Sequence, residues 1–436
     1  PGRRPRRSLS IYNARLLDPA SGLDETGAIF VDRGKVKDIA IGQTTAHADA
    51  KATIDAGGLC LAPGLVDLRV KTGEPGVEQR ETLATASRSA VAGGITSFVV
   101  MPDTKPVIDD MALVRFITDR AKTSAAARIY PAGALTTGLK GEAMAEIGLM
   151  ANSGAVVFTN GDLPVANASI LKRAMAYAAS LSAIIMSRPD ERTLAGSGVM
   201  NAGELAGRMG LPGMPVEAEW IGAMRDTALA EATGCTLILD QVSTPRTVAF
   251  AKAARERGAK VFTTAAAHSF FFNERDIGDY LTYCKVNPPF RDEETRLGLI
   301  DALKRGEIDA VVSAHDPQPP EEKRLPFGEA AFGAAGLETV LPAMLSLVHE
   351  GPLTLLEALA PVTCRPADML GLPQGRLAPN APADMILFNP GKPWLCEREH
   401  LRSRSTNSPF DGRRLQGRVL RTFVAGEEVF AHESVA

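Results

Sequence analysis

A (β/α)8 barrel of the TIM type, carrying a small β domain formed by the N- and C-terminal segments, is the α/β fold the sequence predicts. Three observations carry that expectation. The chain has 436 residues, 45% of them hydrophobic and 23% charged, a globular balance at a length that suits one large barrel with an appendage. Its middle alternates eight short apolar segments with helical stretches, and strands alternating with helices imply a parallel sheet with right-handed crossovers. Its two ends read instead as short strands separated by turns. A doubly wound open sheet is the competing architecture; eight repeats favour closure.

The elements follow in order. Residues 1–8 form a basic, flexible tail: PGRRPRRSLS has four arginines and no apolar run after them, so it is no secretory signal. A solvated tail and a partner-binding or nucleic-acid-binding arm are its two readings. Residues 9–61 and 376–436 make the β domain, with strands at Leu9–Leu17, Ala28–Val31, Val36–Ile41, Asp384–Phe388, Val419–Val424 and Glu428–Phe430. Residues 62–375 make the barrel. Its strands are expected at Leu65–Val70, Ile95–Met101, Arg128–Leu135, Ala155–Phe158, Ala183–Met186, Thr236–Val242, Lys260–Ala266 and Ile308–Ser313. Helices lie between them at Glu81–Ala92, Met111–Ala127, Thr244–Arg257 and Glu294–Arg305. Gly93-Gly94, Gly258 and Gly306 stop three of these, because glycine tolerates the left-handed turn that ends a helix.

Composition excludes several functions. No apolar run approaches the ~18 residues that span a bilayer, and a net charge of −3 offers no overall field for nucleic acid. Five scattered cysteines without a C-x-x-C pair read as reduced, buried thiols and point to the cytoplasm.

In a barrel, chemistry sits where strands end. The first strand ends in Asp67-Leu-Arg-Val-Lys71, the second in Met101-Pro-Asp-Thr104, the fourth in Thr159-Asn-Gly-Asp162, the fifth in Ser187-Arg-Pro-Asp190, the sixth in Asp240-Gln-Val-Ser243 and the eighth in Ser313-Ala-His-Asp316. Of six histidines only His268 and His315 fall near strand ends. With Asp316 they are the one candidate three-ligand metal set; the alternative is two hydrogen-bonded histidines. Arg69 and Lys71, two apart on one strand, point to the same side. A divalent ion ~4 Å from either would be repelled by roughly 8 kcal/mol at an effective dielectric near 20. Two uses of these cations remain open: an anion site with Arg188, or ion pairs with Asp103, Asp162 or Asp240. There is no G-x-S-x-G elbow and no phosphate-binding glycine loop.

The stretch Ala62-Pro-Gly-Leu-Val-Asp-Leu-Arg-Val-Lys-Thr-Gly-Glu-Pro-Gly76 resembles the first-strand signature of dihydroorotases, amidohydrolase-superfamily enzymes of pyrimidine biosynthesis. Ala92-Gly-Gly-Ile-Thr96, Met101-Pro-Asp-Thr104, Lys285-Val-Asn-Pro-Pro-Phe-Arg291, Gly336-Leu-Glu-Thr-Val-Leu-Pro342 and Ser408-Pro-Phe-Asp-Gly412 extend the resemblance to the family's long bacterial type over residues 8–430. The family works with one or two zinc ions. At its metal-ligand positions this sequence has Arg69, Lys71, Asn160, Ser187, Gln241 and Ala314. At its substrate-binding positions it has Gly73, Asp103 and Gln318, with only Asn287 unchanged.

The resemblance therefore implies a dihydroorotase-like chain that lacks catalytic residues, zinc and turnover, because losing every metal ligand removes the Lewis acid and the hydroxide together. It also implies an architectural role beside aspartate carbamoyltransferase, with homo-oligomer contacts and no nucleic-acid or membrane partner. An active cyclic amidohydrolase with a metal site rebuilt around His268, His315 and Asp316 is the alternative.

Overall fold

The computed structural model describes residues 8–435; the arginine-rich residues 1–7 lie outside the described residues, and with them nearly all of the expected tail. Five strands open the chain: β1 (Leu9–Asp18), β2 (Leu23–Asp32), β3 (Lys35–Ile41), β4 (Ala52–Asp55) and β5 (Cys60–Pro63). After them come β6 (Leu65–Val70), β7 (Ile95–Val100), β8 (Arg128–Ala134), β9 (Val157–Thr159) and β10 (Ile184–Ser187). A two-strand pair, β11 (Met200–Asn201) and β12 (Gly213–Met214), precedes β13 (Thr236–Leu239), β14 (Val261–Ala266) and β15 (Ala310–Val312). The chain ends with β16 (Met385–Leu395), β17 (Arg414–Val424) and β18 (Glu427–Ala431).

Eight parallel strands run in the order β15-β14-β13-β10-β9-β8-β7-β6. A parallel bridge from Val70 to His315 and a hydrogen bond from Lys71 N to His315 O (2.8 Å) join the two ends of that order. The barrel is thus closed by the residues at its mouth. Its interior is a separate apolar layer of Val66, Leu68, Val99, Met101, Ala132, Val157, Met186, Ile238, Ala310 and Val312, and Ala367 and Met369 of the helix Cys364–Met369 pack into that layer. The larger core fills the space between strands and helices, as layer packing requires.

The helices begin where their caps dictate. Thr82, Asp110, Thr244 and Asp292 each accept from backbone N–H groups of the first turn, so the helices run Leu83–Ala92, Met111–Ser124, Pro245–Glu256 and Glu293–Lys304. Glu81, expected inside the first of these, lies ahead of the cap and is fully buried. Gly94, Gly258 and Gly306 adopt the expected left-handed conformation. Gly93 does not: its φ is −83°, and it is small because a Cβ there would lie 2.0 Å from the Leu337 carbonyl oxygen.

The terminal strands form one sheet, ordered β18-β17-β16-β5-β1-β2-β3, with β4 beside β1. Most of these strands outrun their apolar patterns, because antiparallel pairing continues through Glu25↔Leu16 and Gln416↔Pro393, where Glu25, Gln416 and Pro393 face water. Arg128 clamps Asp384 with two hydrogen bonds (2.7 and 3.2 Å), tying this sheet to the barrel. Between β16 and β17 the chain leaves the sheet, and Ser403, Ser405, Asn407 and Ser408 become buried against the barrel.

Candidate functional site: an ion-pair cluster in the barrel mouth

β6 places the first two charges. Its pairing with β7 slips between Asp67 and Val70, and an irregularity of this kind re-aims the side chains that follow it. Beyond it Arg69 and Lys71 share one carboxylate, Asp162, each within short hydrogen-bonding contact. Arg69 also pairs with Asp240 (2.5 Å), whose other oxygen accepts from Thr264 Oγ1 (3.0 Å). Lys71 reaches Asp103 (2.9 Å) and Asp316 (3.2 Å), and Asp316 in turn holds Arg80 (2.9 Å). Arg69 is 2% exposed.

A third buried cation completes the cluster. Arg188 donates to the Asn287 side-chain oxygen (2.7 Å) and carbonyl (3.1 Å) and lies 3.9 Å from Asp162. With its amide oxygen turned toward the guanidinium groups, Gln241 accepts from Arg69 Nε (2.7 Å) and Arg188 Nη1 (3.0 Å). Counter-charges outweigh desolvation at most of these groups. Burial favours neutral Arg69 and Lys71, yet Asp162 and Asp103, joined by Asp240 at Arg69 and by Asp316 at Lys71, hold both protonated well above their usual ranges. Burial likewise favours a neutral Asp162, and Lys71, Arg69 and Arg188 override it, keeping the carboxylate ionised far below the ordinary range. Arg188 alone is pulled down, because burial exceeds the help it receives from Asp162.

The remaining altered positions are engaged as well. Asn160 accepts from Thr136 N (3.0 Å) and donates to Thr136 Oγ1 (2.8 Å). Ser187 donates to buried Asp226 (2.6 Å). Gln241 and Ala314 have left-handed backbone (φ 52° and 51°), a conformation that non-glycine residues adopt mainly where surrounding structure enforces it. Gln318 is fixed by Asp316 Oδ1 (2.9 Å) and Asn407 Oδ1 (2.8 Å). Gly73 sits in a turn closed by Gly73 N to Glu81 O (2.8 Å) and Val77 N to Gly73 O (2.6 Å). A Cβ there would stand 1.7 Å from Val77 O, so this backbone has no room for an arginine side chain.

The proposed ligand set of His268, His315 and Asp316 is not assembled. His315 is fully buried, accepts at Nδ1 from Gly336 N (3.2 Å) and therefore offers Nε2–H to Glu81 (3.3 Å). Glu81 also takes Ser403 Oγ and Arg404 N (3.2 Å). His315 thus pins the 396–413 excursion rather than facing a metal. No element of the sequence hinted at this link, since Glu81 and Ser403 stand 322 residues apart. His268 packs edge-on against Phe290 (5.4 Å), and its Nε2 has no partner among the described residues. Burial pushes it down to about 4. Among the described residues no three His, Cys, Asp or Glu side chains are grouped to hold a metal ion.

Zinc wants three or four N, S or O donors converging at ~2.0–2.3 Å. The mouth presents an ammonium and three guanidinium groups, which donate hydrogen bonds and accept none, and its four carboxylates are engaged by those cations; these residues do not fit the ion. The anion reading fares no better, because Asp103, Asp162, Asp240 and Asp316 already balance Arg69, Lys71, Arg188 and Arg80. What remains among these side chains is a cavity of about 20 Å³, lined by Arg69, Asp162, Gln241, His268, Asn287 and Asp316. That is room for about one water, against the ~300 Å³ or more of an ordinary small-molecule site.

Residues 57–246 match the family described as Dihydro-orotase-like, and residues 190–429 match the Amidohydrolase family. A protein named dihydroorotase from Pelobacter propionicus is 39% identical over 97% of this chain and 99% of its own length. One of the same name from Desulforapulum autotrophicum is 40% identical over 93% of this chain and 98% of its own. Among solved structures, the L-hydantoinase from Arthrobacter aurescens superposes with a TM-score of 0.88 at 26% identity, covering 99% of this chain and 97% of that one.

Proposed function

This chain belongs to the dihydroorotase family of the amidohydrolase superfamily, and on that premise we propose that it is a non-catalytic member. It keeps the barrel and has replaced the metal centre with a structural ion-pair cluster. The observation that carries this reading is the sharing of Asp162 by Arg69 and Lys71 in a mouth with about 20 Å³ of free space. Hydrolysis of a cyclic amide needs a polarised carbonyl and an activated water, and metal supplies both in hydrolytic barrels. Among the described residues the mouth offers no metal-ligand set and no solvated base. His268, the one unpaired imidazole there, is desolvated and 5% exposed.

The role we assign is architectural: a cytoplasmic partner of aspartate carbamoyltransferase in pyrimidine biosynthesis, assembled with further copies of itself. A barrel stiffened by internal ion pairs and closed at its mouth suits a scaffold. Co-expression of the full chain with that transcarbamoylase tests the assignment. Co-elution in one complex, with no dihydroorotate hydrolysis above a blank, is the expected result. Separate elution with unchanged transcarbamoylase activity overturns the partnership, and turnover of dihydroorotate overturns the inactivity.

A further inference from the structure

We propose that a second pocket, between the barrel and the terminal β sheet, binds a small multivalent anion of the phosphate or carboxylate class. The pocket has a volume of about 130 Å³ and is lined by Lys392, Trp394, Leu401, Arg418 and His432, with Glu338 among its walls. Its chemistry is opposite to that of the barrel mouth. There every cation has its carboxylate; here, among the described residues, two guanidinium groups make no close ion pair, and Glu338 acts on them only at longer range. Arg418 lies over the Trp394 ring (3.9 Å), and Arg402, flanking the pocket, lies over Phe430 (5.1 Å). Stacking holds a guanidinium in place while leaving its N–H fork available for an oxyanion.

The pocket is built rather than incidental. Trp394 is fixed by Nε1 donating to Gly417 O (2.9 Å). Ser434 Oγ joins Lys392 Nζ (2.7 Å) and His432 Nδ1 (3.0 Å), setting both at one side. Of the two carboxylates that line the pocket, Glu397 is occupied by His400 (3.0 Å). Glu338 accepts from Ser89 Oγ (3.0 Å) and Arg402 N (2.6 Å); burial pushes its carboxyl above the ordinary range, and these two hydrogen bonds, Arg418 and Arg402 pull it back. Three cations also bear on His432: after burial, Arg418, Lys392 and Arg402 lower its value against the opposing Glu433. An anion entering here gains charge-assisted hydrogen bonds from guanidinium groups that no carboxylate clamps directly.

The chain has two tryptophans, Trp220 and Trp394, which gives a direct readout. The full-length chain carrying Trp220→Phe is titrated with inorganic phosphate and, separately, with malonate, at ionic strength held constant with sodium chloride. A saturable change in Trp394 fluorescence is expected, weakened at least tenfold by Arg418→Gln and by Arg402→Gln and only partly by Arg418→Lys. Saturation by phosphate alone assigns a phosphate ester, by malonate alone a dicarboxylate. A response that tracks chloride equally, or one that survives both glutamine variants, overturns the site. Should Arg418→Gln lose its native circular dichroism, the exposed Arg402 carries the same test.

Discussion

The barrel mouth and the barrel–sheet junction each gather several cations, and they treat them differently. In the mouth Arg69, Lys71, Arg188 and Arg80 are matched by Asp162, Asp240, Asp103 and Asp316. At the junction Arg402 and Arg418 rest on aromatic rings and, among the described residues, make no close ion pair. Paired and buried, a charge is part of the architecture, and removing one partner strands the other. Unpaired and wet, a charge costs little to change and is available to a ligand.

The largest expected effect comes from unbalancing the mouth. Asp162→Asn leaves Arg69, Lys71 and Arg188 sharing too little negative charge, and should lower unfolding stability by about 3 kcal/mol in a urea titration. That value is at the low end of the range for buried pairs because Asp162 keeps 29% of its side chain exposed. A loss below ~1 kcal/mol would mean that the mouth behaves like surface ion pairs and that the contrast with the junction is false.

Acid should act next, through His268. With a folded value of about 4 against ~6.5 unfolded, the unfolded chain binds a proton first. Stability should therefore fall by about 3 kcal/mol as pH drops from ~6.5 to ~4. His268→Phe should flatten that limb. Asp162, whose folded value is depressed, adds stability above its unfolded value near 4 and loses it only on further acidification. Lys71, whose value is raised, contributes below about 10.4 and loses its share on further alkalinisation. An acid limb unchanged in His268→Phe would show that the imidazole is solvated.

A smaller effect is expected where the excursion is pinned. Ser403→Ala removes one donor from buried Glu81, which accepts from His315 and Arg404 N as well; it should cost about 1–2 kcal/mol and speed proteolysis between residues 396 and 413. Equal cleavage rates in the variant and the parent would refute the pin. Smallest of all, Arg402→Gln at the junction should change stability by no more than ~0.5 kcal/mol in the same urea titration. A larger loss would place Arg402 with the structural charges.

Much of this was legible in the sequence. Eight apolar segments announced the barrel because each β strand must bury residues on both faces, and the i, i+2 spacing of Arg69 and Lys71 put both on one side. Edges were less readable. The fourth strand, expected at Ala155–Phe158, is Val157–Thr159, because small apolar residues continue into the turn before it. Asp162 stood among three candidate acids, and only the closed barrel shows that it serves two cations at once. The His315–Glu81–Ser403 link and the capture of Asn287 by Arg188 bring together residues from distant loops, so no local pattern records them. His315 looked like a ligand for the same reason: its Glu81 partner is invisible until the chain folds.

Zinc uptake tests the central claim most directly. The purified full-length chain, dialysed to equilibrium against micromolar zinc and then weighed for metal by elemental analysis, should hold far less than one ion per chain, and Arg69→Ala should not raise that figure. One or two zinc ions bound per chain, released when His315 is replaced, would show that the mouth is a metal centre after all.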